Sequence, residues 1–146
     1  MSEFSGGALS AGAGSTTLPV MSLYAAAGTR AILREVGVTN TTDTSVAVKL
    51  VRMTTQGTPG SGLTEDEHDP DGSPPLCTLF NTHTGAPTLG NDLGYRAVIG
   101  GAKGAGVTWV KGSRGIIIPI GTANGIGVIV ENGTGQVLQI YFVWEE

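Results

Sequence analysis

Cys77 is the only cysteine in the chain, so an intrachain disulfide is excluded and the fold must be held by core packing. Charge is also scarce. Charged residues make up 14% of the chain, where about 25% is usual. The net charge of −4 offers no basic field to a nucleic acid. No stretch approaches the ~18 consecutive apolar residues of a membrane span. Met1–Thr17 has no basic segment followed by an apolar one, so it does not read as a secretory leader. Aromatic residues are 5% of the chain, and His68 and His83 are the only histidines.

What the chain has instead is glycine, 24 of its 146 residues, set between short apolar runs. The length suits one domain, able to bury roughly 68–70% of the surface its unfolded chain exposes. The clearest pattern is Gly115–Glu146. Gly115–Ile120, Ile126–Glu131 and Val137–Trp144 read as three strands. They are separated by Thr122-Ala123-Asn124-Gly125 and Asn132-Gly133-Thr134-Gly135, turn sequences because Asn and Gly tolerate positive φ. In the last run, Leu138, Ile140, Phe142 and Trp144 share one face and Val137, Tyr141 and Val143 the other. Two apolar faces predict a strand covered on both sides, by a second sheet, a neighbouring subunit or both. Trp109, Tyr141, Phe142 and Trp144 are expected in core or intersubunit packing.

Further strands are expected over Leu18–Ala27, Arg30–Asn40, Ser45–Thr54, Leu76–Phe80, Gly94–Ile99 and Val107–Lys111, with no amphipathic helix. Arg30–Thr54 reads as a hairpin or a sandwich pair. The expected fold is all-β: an antiparallel sandwich or barrel of about eight strands, jelly-roll-like. Residues 1–17 read as a flexible Gly/Ala/Ser-rich arm, and 18–146 as one β-sandwich domain. The arm, through Ser2, Glu3, Phe4 and Leu9, is expected to lie on a partner. Gln56–Asp92, with its prolines, reads as a long irregular excursion, and such loops tend to face partners.

Chemistry is thin. Glu67, Asp69, Asp71 and Gly72 fit the first positions of a calcium loop, but Thr78 stands where the bidentate Glu belongs and Pro70 stiffens the segment. A solvated acidic loop is the expectation, with no metal site. His68, Cys77 and His83 match no zinc spacing, and nothing marks Cys77 as activated. Gly100–Gly106 lacks the ending of a phosphate loop, and Gly125-Ile126-Gly127 completes no dinucleotide fingerprint. Asn40-Thr41-Thr42 and Asn132-Gly133-Thr134 match the glycosylation sequon without a secretory context. No enzyme activity and no cofactor are expected.

The β-pattern, with Glu35-Val36-Gly37-Val38-Thr39-Asn40-Thr41-Thr42, Gly121-Thr122-Ala123-Asn124-Gly125 and Tyr141-Phe142-Val143-Trp144-Glu145-Glu146, resembles small structural proteins of tailed bacteriophages. These are jelly-roll-like capsid decoration or minor capsid proteins. The likeness covers most of Arg30–Glu146. It implies a homotrimer seated on the capsid exterior of a virion assembled in the host cytoplasm, contacting the major capsid protein and cementing capsomers. It implies no catalytic residues, no nucleic acid and no membrane. A tail, fibre or baseplate module that binds a partner protein or a host surface glycan is the alternative, to be marked by an exposed aromatic cleft. A cupin-like metalloenzyme would need histidines clustered on strands, and here both lie outside the expected strands.

Overall fold

A computed structural model describes residues 1–146 and contains strands but no helix. In chain order the strands are β1 (Glu3–Leu9), β2 (Met21–Tyr24), β3 (Ala31–Asn40) and β4 (Val46–Met53). The two short strands β5 (Asp66–Glu67) and β6 (Thr78–Phe80) follow. The remainder are β7 (Leu89–Ile99), β8 (Gly106–Val110), β9 (Ile116–Ile118), β10 (Gly125–Asn132) and β11 (Leu138–Glu145). No helix is long and apolar enough to cross a membrane.

Two antiparallel sheets pack face to face. One has the order β5-β1-β11-β3-β8, with β9 also paired to β3; the other has the order β6-β2-β10-β4-β7. The first long strand thus lies beside the last, and the second beside the next to last. Consecutive strands β1 to β4 alternate between the sheets. This winding is jelly-roll-like, as the strand pattern predicts. It also decides between the two readings of Arg30–Thr54: β3 and β4 belong to different sheets, so they form a sandwich pair and not a hairpin. Asn40 makes the crossing between them. It is fully buried, its Nδ2 donates to Thr44 O (2.7 Å) and Gly100 O (3.1 Å), and its Oδ1 accepts from Thr42 N (3.0 Å). Such a satisfied amide is a structural group, closed to a glycan.

The space between the sheets is filled by one apolar cluster, to which β11 supplies Leu138, Ile140, Phe142 and Trp144. Their alternation puts a bulky side chain inward every second residue, and each is at most 2% exposed. Trp109, at 7%, closes the same core on β8. Of the four residues expected in core or intersubunit packing, Tyr141 alone lies outside the core of the chain. It sits on the outer face and is 39% exposed, because the second sheet covers only one side of β11.

The N-terminal segment is the larger correction. It is not a free arm: residues 3–9 form β1, in register with Glu145 to Gln139 of β11. Phe4 is 2% exposed and stacks on Trp144 with ring centroids 6.1 Å apart. Glycine content suggested a linker, yet it is what the site demands. A Cβ on Gly6 would lie 2.9 Å from Leu79 Cδ2 and 3.1 Å from Thr64 O. Of the arm residues proposed to meet a partner, Phe4 is therefore core, while Glu3 and Leu9 lie on the outer face.

The Gln56–Asp92 excursion is also more ordered than its composition suggests. Its β5 adds to β1 at the edge of one sheet, and its β6 adds to β2 at the edge of the other. Bridges at Thr58–Gly85 and Gly62–Phe80 stitch it to itself. The excursion therefore covers one flank of the sandwich. The opposite flank, where β7 and β8 end the two sheets, has no such cover.

Candidate functional site

Two surfaces carry unusual side-chain arrangements: the open flank and the outer face of the β1 sheet.

On the open flank, alternation along β7 and β8 points Tyr95 and Trp109 inward, where the rings meet edge to face with centroids 6.5 Å apart. Lys111 follows β8 on the same inward phase, its N–H held by Arg34 O at 2.7 Å. Its side chain is 5% exposed, and Nζ lies 3.1 Å from the centre of the Tyr95 ring. Nζ is buried and has no hydrogen-bond partner. Burial lowers its pKa from the usual lysine range to about 8. On the outer surfaces of the two edge strands, facing away from this amine, Val98 and Val110 stand 77% and 66% exposed.

On the outer face, the odd residues of β1 meet the excursion just after β5. His68 Nδ1 lies 2.6 Å from Glu3 Oε1, and its Nε2 lies 3.0 Å from Ser5 Oγ. The backbone fixes this placement: His68 N–H donates to Glu3 O at 2.9 Å, and β5 pairs Asp66 with Ser5. Glu3 and Ser5 are two residues apart on an extended strand, so both side chains leave the same face toward one imidazole. With Glu3 accepting from Nδ1–H, Nε2 is left to accept the Ser5 hydroxyl proton. The order hydroxyl, imidazole, carboxylate is that of a nucleophile relay. It borders a shallow cavity of about 620 Å³ whose lining includes Gly7, Leu63 and Asp66, with Tyr141 and Val143 from the neighbouring β11.

The sequence-level acidic candidates do not assemble there. Asp69 Oδ1 accepts from Asp71 N–H at 3.1 Å and its carbonyl from Gly72 N–H at 2.8 Å, so Asp69 closes a turn. Glu67 turns away, with Oε2 buried and unpartnered. No group of three or more His, Cys, Asp or Glu side chains is positioned to hold a metal ion. Cys77 is 2% exposed, and burial, followed by the nearby Glu146 carboxylate, pushes its thiol up to about 12, so it is not a thiolate nucleophile. His83 is a core residue, 1% exposed, with Nε2 2.7 Å from Ser22 Oγ.

Sequence reasoning missed both surfaces. Glu3 and Ser5 stood in what read as a linker, and His68 is 63 residues beyond Ser5. The spacing of Glu3 and Ser5 was the one available signal. Lys111 gave none, since its burial depends on an edge strand packing over it. No protein-family model matches the chain, and no curated protein or solved structure matches it either.

Proposed function

We propose that this chain is a structural protein of a bacteriophage virion, which binds the outside of the capsid as an oligomer and reinforces contacts between capsomers of the major capsid protein. The observation that carries this reading is the open flank with Lys111 at its centre. Buried polar groups in finished interiors are almost always hydrogen-bonded. An unpartnered buried amine at this flank, with Val98 and Val110 exposed on the outer surfaces of its two edge strands, supports the reading that a second chain docks there. A neighbouring copy seated on these edge strands would bury their exposed valines, and an oligomer gains avidity on a repetitive shell. Binding the assembled shell and not its free subunits then stabilises the particle by mass action. The motif likeness to tailed-phage decoration proteins supplies the capsid as the setting.

The exposed ring of Tyr141 supports a second reading, a tail, fibre or baseplate module whose outer face meets a partner protein or host glycan. Co-sedimentation with capsids that lack the protein separates the two. Saturable binding at a fixed ratio to the major capsid protein, weakened in Val98→Asp and Val110→Asp, supports decoration. Absence of binding, with the protein recovered in tail fractions, removes it.

A further inference from the structure

We propose that Ser5, His68 and Glu3 form a nucleophilic relay that hydrolyses small, uncharged carboxylic esters. This reaches beyond the structural role and uses a different surface from the open flank.

Three side chains supply the relay at 2.6 and 3.0 Å, and the backbone supplies a fourth part. Ser2 and Glu146 exchange both of their backbone hydrogen bonds, and Ser10 N–H donates to Leu138 O. In an antiparallel pair this parity turns the even residues of β1 toward β11 and the odd ones away. Glu3 and Ser5 spend their outward groups on the excursion, as His68 N–H on Glu3 O shows. The β5 pairing stops at Asp66, opposite Ser5. Gly7 is the next odd residue, and its N–H lies past that end, without a backbone or side-chain acceptor, at the wall of the cavity. It is a free donor beside the nucleophile, the part an oxyanion needs. Gly7 also adds no side chain to the cavity wall beside Ser5 Oγ.

The steps balance. Ser5 Oγ attacks the ester carbonyl carbon as His68 Nε2 takes the hydroxyl proton, and Gly7 N–H donates to the carbonyl oxygen. The carbon–oxygen bond to the alcohol breaks, and His68 passes the proton to the departing alcohol. Water then attacks the acyl-serine and gives a proton to His68, which returns it to Ser5 as the carboxylic acid leaves. Glu3 accepts from Nδ1–H throughout. The substrate class follows from the setting. The relay is open to water, with the His68 and Glu3 side chains 43% and 45% exposed, so charge stabilisation is weak. Such a site suits the reactive carbonyl of an ester over that of an amide. Glu3 and Asp66 repel acyl groups that carry a carboxylate.

The test uses the full chain with a fluorophosphonate probe, adducts being located by peptide mass mapping, alongside p-nitrophenyl acetate hydrolysis. The expected result is one adduct, on Ser5, absent in Ser5→Ala. The labelling rate should fall by about 10² or more in His68→Gln. Ser5→Ala should also lose ester hydrolysis while unfolding at the same temperature as the parent, since Ser5 contributes little to the core. Three results would overturn the proposal: no adduct on Ser5, a labelling rate unchanged in His68→Gln, or acetate hydrolysis that persists in Ser5→Ala.

Discussion

The ring of Tyr141 lies on Gly37: a Cβ built on that glycine would stand 2.0 Å from Tyr141 Cε1 and 2.4 Å from Cζ. The two residues are cross-strand partners of β11 and β3, and the phenol donates to Glu35 Oε1 two pairs along, on the same face. The absent side chain is therefore what lets the ring lie against the sheet. Gly37→Ala forces the ring off its seat and breaks the bond to Glu35. The expected loss is about 1–3 kcal/mol, the range for overpacking. In Tyr141→Ala the same glycine substitution should be nearly silent, and urea unfolding of the four-member mutant cycle measures the coupling.

Phe4→Ala should destabilise by about 3–5 kcal/mol, because it removes a buried ring from Trp144. Leu9→Ala on the same strand should change stability by less than about 0.5 kcal/mol, since Leu9 is 52% exposed. Thermal unfolding of the pair distinguishes an integral strand from a detachable arm, which would leave both substitutions silent.

His83 makes stability fall in mild acid. Burial lowers its pKa below the ordinary 6.5, with the Gly85 backbone opposing in part. As pH drops, the unfolded chain takes up the proton first. Stability is therefore full above pH 6.5 and is lost as pH falls toward the native value. Urea midpoints between neutral pH and pH 5 should show this slope. His83→Gln should flatten it, even at the cost of the bond to Ser22.

Lys111 acts in the alkaline range and with the opposite consequence for engineering. Its native pKa is about 8 against an unfolded 10.5. Below pH 8 both states are protonated, and the full penalty of burying the charge is present. Between pH 8 and 10.5 the native state is already neutral, so stability rises with pH. The unpartnered amine costs about 1–3 kcal/mol, and the Tyr95 ring returns about 0.5–2 kcal/mol of it. Lys111→Met should thus raise stability at neutral pH by about 1 kcal/mol and abolish the alkaline slope, both readable by thermal scans.

Period-2 alternation and glycine-centred turns identified β3, β4, β10 and β11 from local sequence, because a strand with one face in a core must place apolar residues at every second position. The same logic placed Trp109, Tyr141, Phe142 and Trp144 in core or intersubunit packing, and all but Tyr141 are core. At Tyr141 an apolar ring on the second face implied a cover by a second sheet or a neighbouring subunit; the second sheet does not supply it, and Gly37 seats the ring. Composition misread β1, since glycines that spell flexibility in isolation are also the residues that fit between β11 and a closely packed excursion. Which edge of the sandwich is covered, whether Lys111 is buried, and that Glu3, Ser5 and His68 converge were decided by the tertiary structure alone. Each depends on contacts between segments far apart in the chain. Local propensity describes what a segment does against a generic surface, and these features exist only against a particular one.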